Sequence, residues 1–586
     1  MSESTKVNKA IVKLKKHVPI VSWLPQYTKF DGISDLISGI TVGLTIMPQS
    51  MAYASLANLP PHYGLYSSFM GAFMYVMFGT IKEASVGPTS LMALLTLSYT
   101  NGLPIEFVIL LSFLGGWVQL VMGIFKLGFL VDFISTPAIS GFTSATSFTI
   151  ILAQMKGLFG IRFTSDNVFH YIQKFYSRIP KIRYYDLILG CCCIAVLLIF
   201  RSLNNIKCKN TVVKKTLWFL SIGRNALIVL VCSILAYYLE SKLGKSPFTL
   251  YGKVPAGIPS MQMPQFSTHI GNQTVTFVEM VQKLGTGIVV IPVVSVLSNV
   301  AVAKAFTSGK RVDSAQEMVT LGICNIMGSF VQSMPVCGAF TRSAVANASG
   351  VRTPFAGIYA GTIILLALSF LTPYFYYIPK STLAAVLISA VIFMIDIKIL
   401  PKLWKTNKYD LFVMFSTFIV SLIFSVEQGL LVGVIVNFIP MIKLWTRPKI
   451  DFAIKTTREG QTYLLVKPEL GLYYSASEYF TLQARKTISS IEFGVPVVFD
   501  FRNILYVDYT STQSLTYLLA ELQKDGRSFL FMNLSETLSS TLSDLISEYR
   551  IRCCEKDDDI FETLLGVSID IEDDIEAKLL PPKQLK

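Results

Sequence analysis

Apolar residues in this chain come in long runs separated by short polar or basic punctuation. Runs of spanning or near-spanning length lie at about 33–58, 63–80, 86–100, 105–125, 127–153, 184–200, 216–240, 283–306, 314–333, 338–349, 355–372, 381–397, 409–425 and 427–444. A helix needs about 20 apolar residues to cross the hydrocarbon layer, so the pattern predicts an α-helical polytopic membrane protein with 14 transmembrane segments. Two runs, 86–100 and 338–349, are too short to cross as single straight helices. A third feature is as unusual. From Leu36 to Ile81 there is no Asp, Glu, Lys or Arg, yet Pro48 and Pro60-Pro61 interrupt the run and Gln49 and Tyr53 lie between them. Hydrocarbon solvates neither freed backbone groups nor an amide, so these positions predict a polar cavity enclosed by protein.

After Ile450 the period changes. "TYLLVKPELGLYY" alternates as a strand does, "VPVVFDF" and "SFLFMNL" are compact strand candidates, and "SLTYLLAELQKDGR" and "SETLSSTLSDLISEYR" read as helices. Strands alternating with helices predict a small α/β domain with a mixed or parallel sheet. The expected division is a cytosolic N-terminal segment 1–30, a transport domain 31–450 and a cytosolic domain with an acidic tail, 451–586. The tail has no phosphate-binding GxxxxGK[ST] loop and no His, Cys and carboxylate cluster. We expect no enzyme, no cofactor and no metal centre.

Composition agrees: 52% of the 586 residues are hydrophobic and 15% charged, against about 25% charged in soluble domains. The formal charge of +14 is unevenly spread. Residues 1–450 hold 37 basic and 15 acidic side chains, and residues 451–586 hold 14 and 22. The basic surplus sits in short loops between apolar runs, where it sets membrane orientation and does not point to nucleic acid. With both termini cytosolic, the basic loops "RSLNNIKCKNTVVKK", "KAFTSGKRVD" and "DIKILPKLWKTNKYD" fall inside, whereas the basic loop 161–183 falls outside and opposes the rule. Asn272 opens an N-x-T acceptor pattern for glycosylation in the outside loop 243–276. Nine cysteines without a spaced framework read as reduced packing residues, and the N-terminus lacks a signal-peptide core.

Candidate chemistry converges on the two short runs. "SVGPTSLMALLT" (85–96) and "SMPVCGAFTRSAVANAS" (333–349) each lead from small, hydroxyl, Gly or Pro residues into a short apolar helix. A half-helix starting at mid-membrane leaves its first N–H groups unpaired, and these attract an anion. Paired discontinuous helices in two halves of a chain mark a transporter's substrate site. "GITVGLTIMPQSMAYASLA" from Gly39 and "GTGIVVIPVVSVLSNVAVAKAF" from Gly285 share a second loose pattern, so the halves predict a 7+7 inverted repeat. Arg342 is the only basic residue between Arg311 and Arg352. It is a candidate ligand for an anion, with pairing to Glu317 or Glu427, or snorkelling, as the structural alternatives. Two helix N-termini at about +0.5 each and one guanidinium give about +2, which suits a divalent oxyanion as well as chloride.

On these residues the chain resembles the sulfate permease (SulP) family, solute carrier family 26. "DLISGITVGLTIMPQSMAYASLANLPPHYGLYSS", "FGTIKEASVGPTSL" and "VDSAQEMVTLGICNIMGSFVQSMPVCGAFTRSAVANASGV" carry the resemblance, and "VVFDFRNILYVDYTS" resembles the marker of the family's STAS domain. "FYYIPKSTLAAVL" and the short tail look most like the sodium-independent sulfate anion transporter branch. The resemblance implies a homodimer in the lipid bilayer, with a core of spans 1–4 and 8–11 moving past a gate of spans 5–7 and 12–14 as an elevator. Carried over by position, it implies substrate contacts at Gln49, Tyr53, Thr89, Ser90, Phe340, Thr341 and Arg342. Halide-preferring members have an aromatic where this chain has Thr89, and coupled members an acid where it has Ser298-Asn299. Thr510 stands near the phosphorylated position of bacterial STAS proteins, although a helix N-cap is the simpler role for it.

The expected activity is sodium-independent exchange of sulfate with chloride, bicarbonate or oxalate, at the plasma membrane or also the lysosomal membrane. An uncoupled chloride channel or voltage-responsive protein is the alternative within transport. A membrane-anchored STAS scaffold is the alternative outside it.

Overall fold

In the computed structural model the described residues are 17–161, 168–202, 211–250, 252, 257–271, 273–306, 313–424, 426–457, 460–469, 471–504, 506–535, 538–540, 542 and 553–554. The chain divides into two compact units, Met1–Val434 and Ile435–Lys586.

Each of the fourteen apolar runs contains helix. In order these are α1 (Lys29–Leu56), α2 (Pro61–Phe78), α3 (Ser90–Thr100), α4 (Ile105–Ile124), α5 (Thr136–Phe159), α6 (Tyr184–Ser202), α7 (Thr211–Leu243), α8 with α9 (Phe277–Leu284 and Gly287–Phe306), α10 (Ser314–Ser329), α11 (Phe340–Ala348), α12 (Ala356–Leu366), α13 (Lys380–Val391), α14 (Lys408–Ile423) and α15 (Val426–Thr446). Among the described residues eight helices are long and apolar enough to cross a membrane, or nine if α8 and α9, bent by 55° at their junction, count as one span. Large apolar side chains such as Ile188, Leu230, Ile234, Phe412 and Ile419 are exposed on the helical surface. Such a surface belongs in lipid.

Pro48 does not break its helix. α1 runs unbroken for 28 residues with Pro48 inside it, and α9 likewise carries Pro292. Pro60 caps α2 and Pro61 opens it, the position where a missing N–H costs nothing. Close approach of the helices depends on small residues. A Cβ on Gly322 of α10 would sit 2.7 Å from the Leu120 nitrogen of α4, so only glycine admits this contact. The apolar core around α1 joins Ile46, Met51 and Tyr53 to Leu65 and Phe69 of α2 and to Leu383, Val386 and Leu387 of α13.

The two short runs are not plain helices. Each begins with a two-residue strand, β1 (Val86–Gly87) and β2 (Cys337–Gly338), and the strands pair antiparallel, Val86 with Gly338 and Gly87 with Cys337. α3 and α11 follow directly.

The second unit holds a five-stranded sheet of β3 (Ile450–Thr456), β4 (Thr462–Pro468), β5 (Val497–Asp500), β6 (Phe529–Met532) and β7 (Cys553–Cys554) in sequence order. β3 and β4 are antiparallel and the remaining pairs parallel. α16 (Tyr474–Ser489) and α17 (Tyr509–Lys524) pack on it through Phe480, Ile488, Leu515 and Leu518, against Val466, Phe499 and Phe531. The sheet is mixed, as the alternation predicts. β3 and α16 lacked a clear period in the sequence: β3 is largely exposed and α16 is polar outside its buried stripe. α17 is capped by Asp508 and not by Thr510, which lies in the first turn; the Asp508 carboxylate accepts from the Ser511 N–H at 2.8 Å. Most of the predicted helix 535–550 lies outside the described residues.

Candidate functional site

Non-helical backbone inside a membrane protein must find its hydrogen bonds from side chains. At 333–338 it does. The Met334 N–H donates to Ser67 Oγ at 2.9 Å and the Val336 N–H to Asn325 Oδ1 at 2.8 Å. The Val336 carbonyl accepts from Ser295 Oγ and from Asn325 Nδ2, both at 3.2 Å, and Gln119 bridges the same two side chains, accepting from Asn325 and donating to Ser295 at 2.9 Å each. Gln119, Ser295 and Asn325 are all buried. The opposite segment is held in the same way. The Ser85 N–H donates to Ser343 Oγ at 3.1 Å, and the Ser85 carbonyl accepts from the Ala339 N–H at 3.0 Å.

Arg342 lies at the centre of this arrangement, 0% exposed. Its Nη1 donates to the Pro88 carbonyl at 2.7 Å, Nε to Ser85 Oγ at 3.3 Å and Nη2 to the Ser85 carbonyl at 3.5 Å. The guanidinium therefore ties the start of α11 to the segment that leads into α3. Pairing with Glu317 does not occur. That buried carboxylate accepts from Tyr75 Oη at 2.9 Å, the Thr80 N–H at 3.1 Å, Thr80 Oγ1 and Asn299 Nδ2 at 2.7 Å. The Glu427 side chain lies outside the described residues. Asn299, where an acid was looked for, thus serves a buried acid from α10.

The starts of α3 and α11 come together through the β1–β2 pair. Thr89 caps α3, accepting from the Met92 N–H at 3.3 Å, and its hydroxyl lies 3.4 Å from Cys337 Sγ. Ser90, the first residue of α3, is buried. Ala339 precedes α11 and has no side chain with which to cap it. A small cavity opens beside this start, lined by Thr45 and Gln49 of α1, Thr341 and Val345 of α11, Arg201 of α6, Arg224 and Asn225 of α7, and Ser389 and Ala390 of α13. Gln49 is 3% exposed and its Oε1 has no hydrogen-bond partner. Tyr53 is buried one turn further along α1, and Phe340 is 53% exposed with its ring 5.4 Å from that of Phe306.

The matching family model, the sulfate permease family, covers residues 33–417. A bovine (Bos taurus) sodium-independent sulfate anion transporter is 39% identical over 89% of this chain and 87% of its own. The chain belongs to the sulfate permease family. A chloroplastic sulfate transporter 4.1 of Arabidopsis thaliana is 35% identical over 71% of this chain and 59% of its own length. The murine solute carrier 26 member A9 anion transporter, solved in an inward-facing state, has the same fold, with a TM-score of 0.81 at 20% identity over 94% of this chain and 95% of that one. This sulfate permease family protein is an integral multi-pass membrane protein.

Of the seven residues that the family resemblance assigned to the site, the structure brings Gln49 and Thr341 to one cavity and places Thr89 and Arg342 in the framework behind it. Arg201, Arg224 and Asn225 were not singled out. One signal was present: Arg224 is the only charged residue between Lys215 and Glu240, as Arg342 is between its neighbours. Asn272 lies outside the described residues, between the paired strands Thr268–Ile270 and Gln273–Val275.

Proposed function

We propose that this chain is a secondary anion transporter that moves sulfate in sodium-independent exchange for chloride, bicarbonate or oxalate. The observation that carries the reading is the buried Gln49 side chain, with its amide N–H₂ as donor, lining one cavity together with the uncapped start of α11 at Thr341. Unpaired N–H groups and a helix N-terminus there attract negative charge, and the full charge of Arg342 lies directly behind. The names of the bovine and plant relatives support sulfate as the cargo.

The substrate set is Gln49, Tyr53, Thr89, Ser90, Phe340, Thr341 and Arg342, with Thr89 acting by capping α3 and Arg342 through charge and positioning. Fourteen segments arranged as a 7+7 inverted repeat form a core and a gate, and the core carries the anion by elevator-type movement. Prolines inside both α1 and α9 and the pairing of β1 with β2 support the repeat. The mixed sheet supports reading 451–586 as a cytosolic STAS domain, in a homodimer with both termini cytosolic, at the plasma or also the lysosomal membrane.

Proteoliposomes of the purified full-length chain test this. Sulfate uptake is expected to speed up with chloride, bicarbonate or oxalate on the opposite side and to be indifferent to sodium. A sodium requirement, or no sulfate movement by folded and inserted protein, overturns it.

A further inference from the structure

The cavity has a second wall. Across from Gln49 and Thr341 stand Arg201, in the last turn of α6, and Arg224 with Asn225 on α7. Among the described residues neither arginine is paired with a carboxylate. The Arg201 guanidinium lies 3.4 Å from the centre of the Phe393 ring, and Arg224 Nη1 donates to the Ser221 carbonyl. Both arginines line the same cavity. Asn225 is 4% exposed, and the group it can offer an anion is its amide N–H₂, the Oδ1 being an acceptor. A guanidinium has five N–H donors, and the bond from Arg224 to Ser221 takes one of them. Two like charges lining one cavity, with no acid among its lining residues, draw an anion into it.

We propose that Arg201 and Arg224, with the Asn225 amide, form a second anion subsite that receives divalent oxyanions across the cavity from Gln49 and Thr341 and sets the preference for divalent over monovalent cargo. This rests on the transport reading above. A tetrahedral dianion presents oxygens to both walls at once, with planar forks on one side and a helix start on the other. A monovalent halide is met by one wall at a time. The subsite therefore acts on affinity and selectivity, while the α11 start holds the anion during transfer.

The test compares wild type with Arg224→Gln, Arg201→Gln and Arg224→Lys as full-length protein in liposomes, measuring half-saturation for sulfate and for chloride in the same preparations. Arg224→Gln is expected to raise the sulfate constant about tenfold, the effect of one charge-assisted hydrogen bond, with chloride changed less than about twofold. Arg201→Gln is expected to do the same to a smaller extent, since Phe393 already takes one face of its guanidinium, and Arg224→Lys to recover part of the loss. Equal shifts for the two anions, or none, overturn the subsite. Wild-type protein that moves no sulfate overturns the transport reading instead. Sulfate-induced thermal stabilisation of detergent-purified wild type and Arg224→Gln gives a second readout that does not depend on insertion: an unchanged shift in the variant refutes the proposal, and a diminished one supports it.

Discussion

The two half-helix starts read alike in the sequence and are built differently. α3 satisfies itself: Thr89 accepts from the Met92 N–H, and the preceding carbonyls are taken by Arg342. α11 has only Ala339 before it, so no side chain caps its first turn, and its own Arg342 is used on the other segment. One start is closed and the other is open. Hence the free donors that an anion can use belong to α11, on the side of Gln49, and the charge of Arg342 serves the site from behind while its hydrogen bonds hold the frame.

The strongest way to break this comparison is Arg342→Ala. It leaves the Pro88 carbonyl and the Ser85 hydroxyl without their donor, at about 1–3 kcal/mol for each orphaned group, while the Ser85 carbonyl keeps the Ala339 N–H. A loss near 3 kcal/mol lowers the assembled site about a hundredfold. Sulfate uptake is expected to fall by that order and chloride uptake by less, because a whole charge is also lost. Arg342→Lys is expected not to rescue, since one ammonium cannot reach acceptors on both Ser85 and Pro88. Full rescue by lysine would mean that charge alone matters and that the two starts are not tied by geometry.

The glycines of the strand pair sharpen the contrast. A Cβ on Gly338 would sit 2.3 Å from Asn299 Oδ1, and that amide is committed to Glu317. A Cβ on Gly87 would sit 3.1 Å from Arg342 Nη2 and Ile46 Cδ1, both terminal atoms that can yield. Gly338→Ala is expected to lose about 2–3 kcal/mol by overpacking, and Gly87→Ala no more than about 1 kcal/mol. Thermal melts of the purified chains read the order, and the reverse order would contradict it.

Exchanging the caps is gentler. Ala339→Ser places a hydroxyl where it accepts from the N–H of Thr341 or Arg342, so it competes with the anion, and the sulfate constant is expected to rise about threefold to tenfold. Thr89→Ala is expected to cost about 1 kcal/mol of stability with the sulfate constant within about twofold of wild type. Uptake curves for both variants decide between an open α11 and two equivalent starts.

How much of this the sequence disclosed follows from the range of each interaction. Helix existence is a local, periodic property, so all fourteen apolar runs found helices. The difference between Thr89 and Ala339 is local too and stands in the sequence for anyone who asks which residue precedes each helix. The pairing of β1 with β2, and the use of Glu317 on Tyr75, Thr80 and Asn299, are not local. They join positions more than 200 residues apart in the first case and three separate helices in the second, and no spacing encodes them. Arg201 ends an apolar run and reads in the sequence as loop charge. Only the fold brings it to the same cavity as Gln49.

The tail supplies a helix start in ordinary solvent, the reference against which the buried starts are judged. Asp508 accepts from the Ser511 N–H at 2.8 Å and from the Tyr474 N–H at 2.6 Å. Partial burial opposes its ionisation and is the largest single influence, but the bonds from Ser511 and Tyr474 together outweigh it, so the carboxyl titrates below the usual aspartate range. A carboxyl whose pKa is depressed by folding stabilises the folded chain above its unfolded value, about 4, and loses that contribution as pH falls through its folded value. Amide exchange at Ser511, corrected for the intrinsic rate, is therefore expected to be protected at about pH 5 and to weaken below about pH 4 in the full-length chain. Asp508→Ala is expected to abolish this pH dependence and to cost about 1 kcal/mol in the opening of α17, with sulfate uptake unchanged. Protection that persists below that range, or a pH dependence retained in the variant, would assign the cap to another group. A cost similar to that of Thr89→Ala would mean that the membrane start is capped by the same local bond as a helix in water, leaving the anion-binding difference to reside in α11 alone.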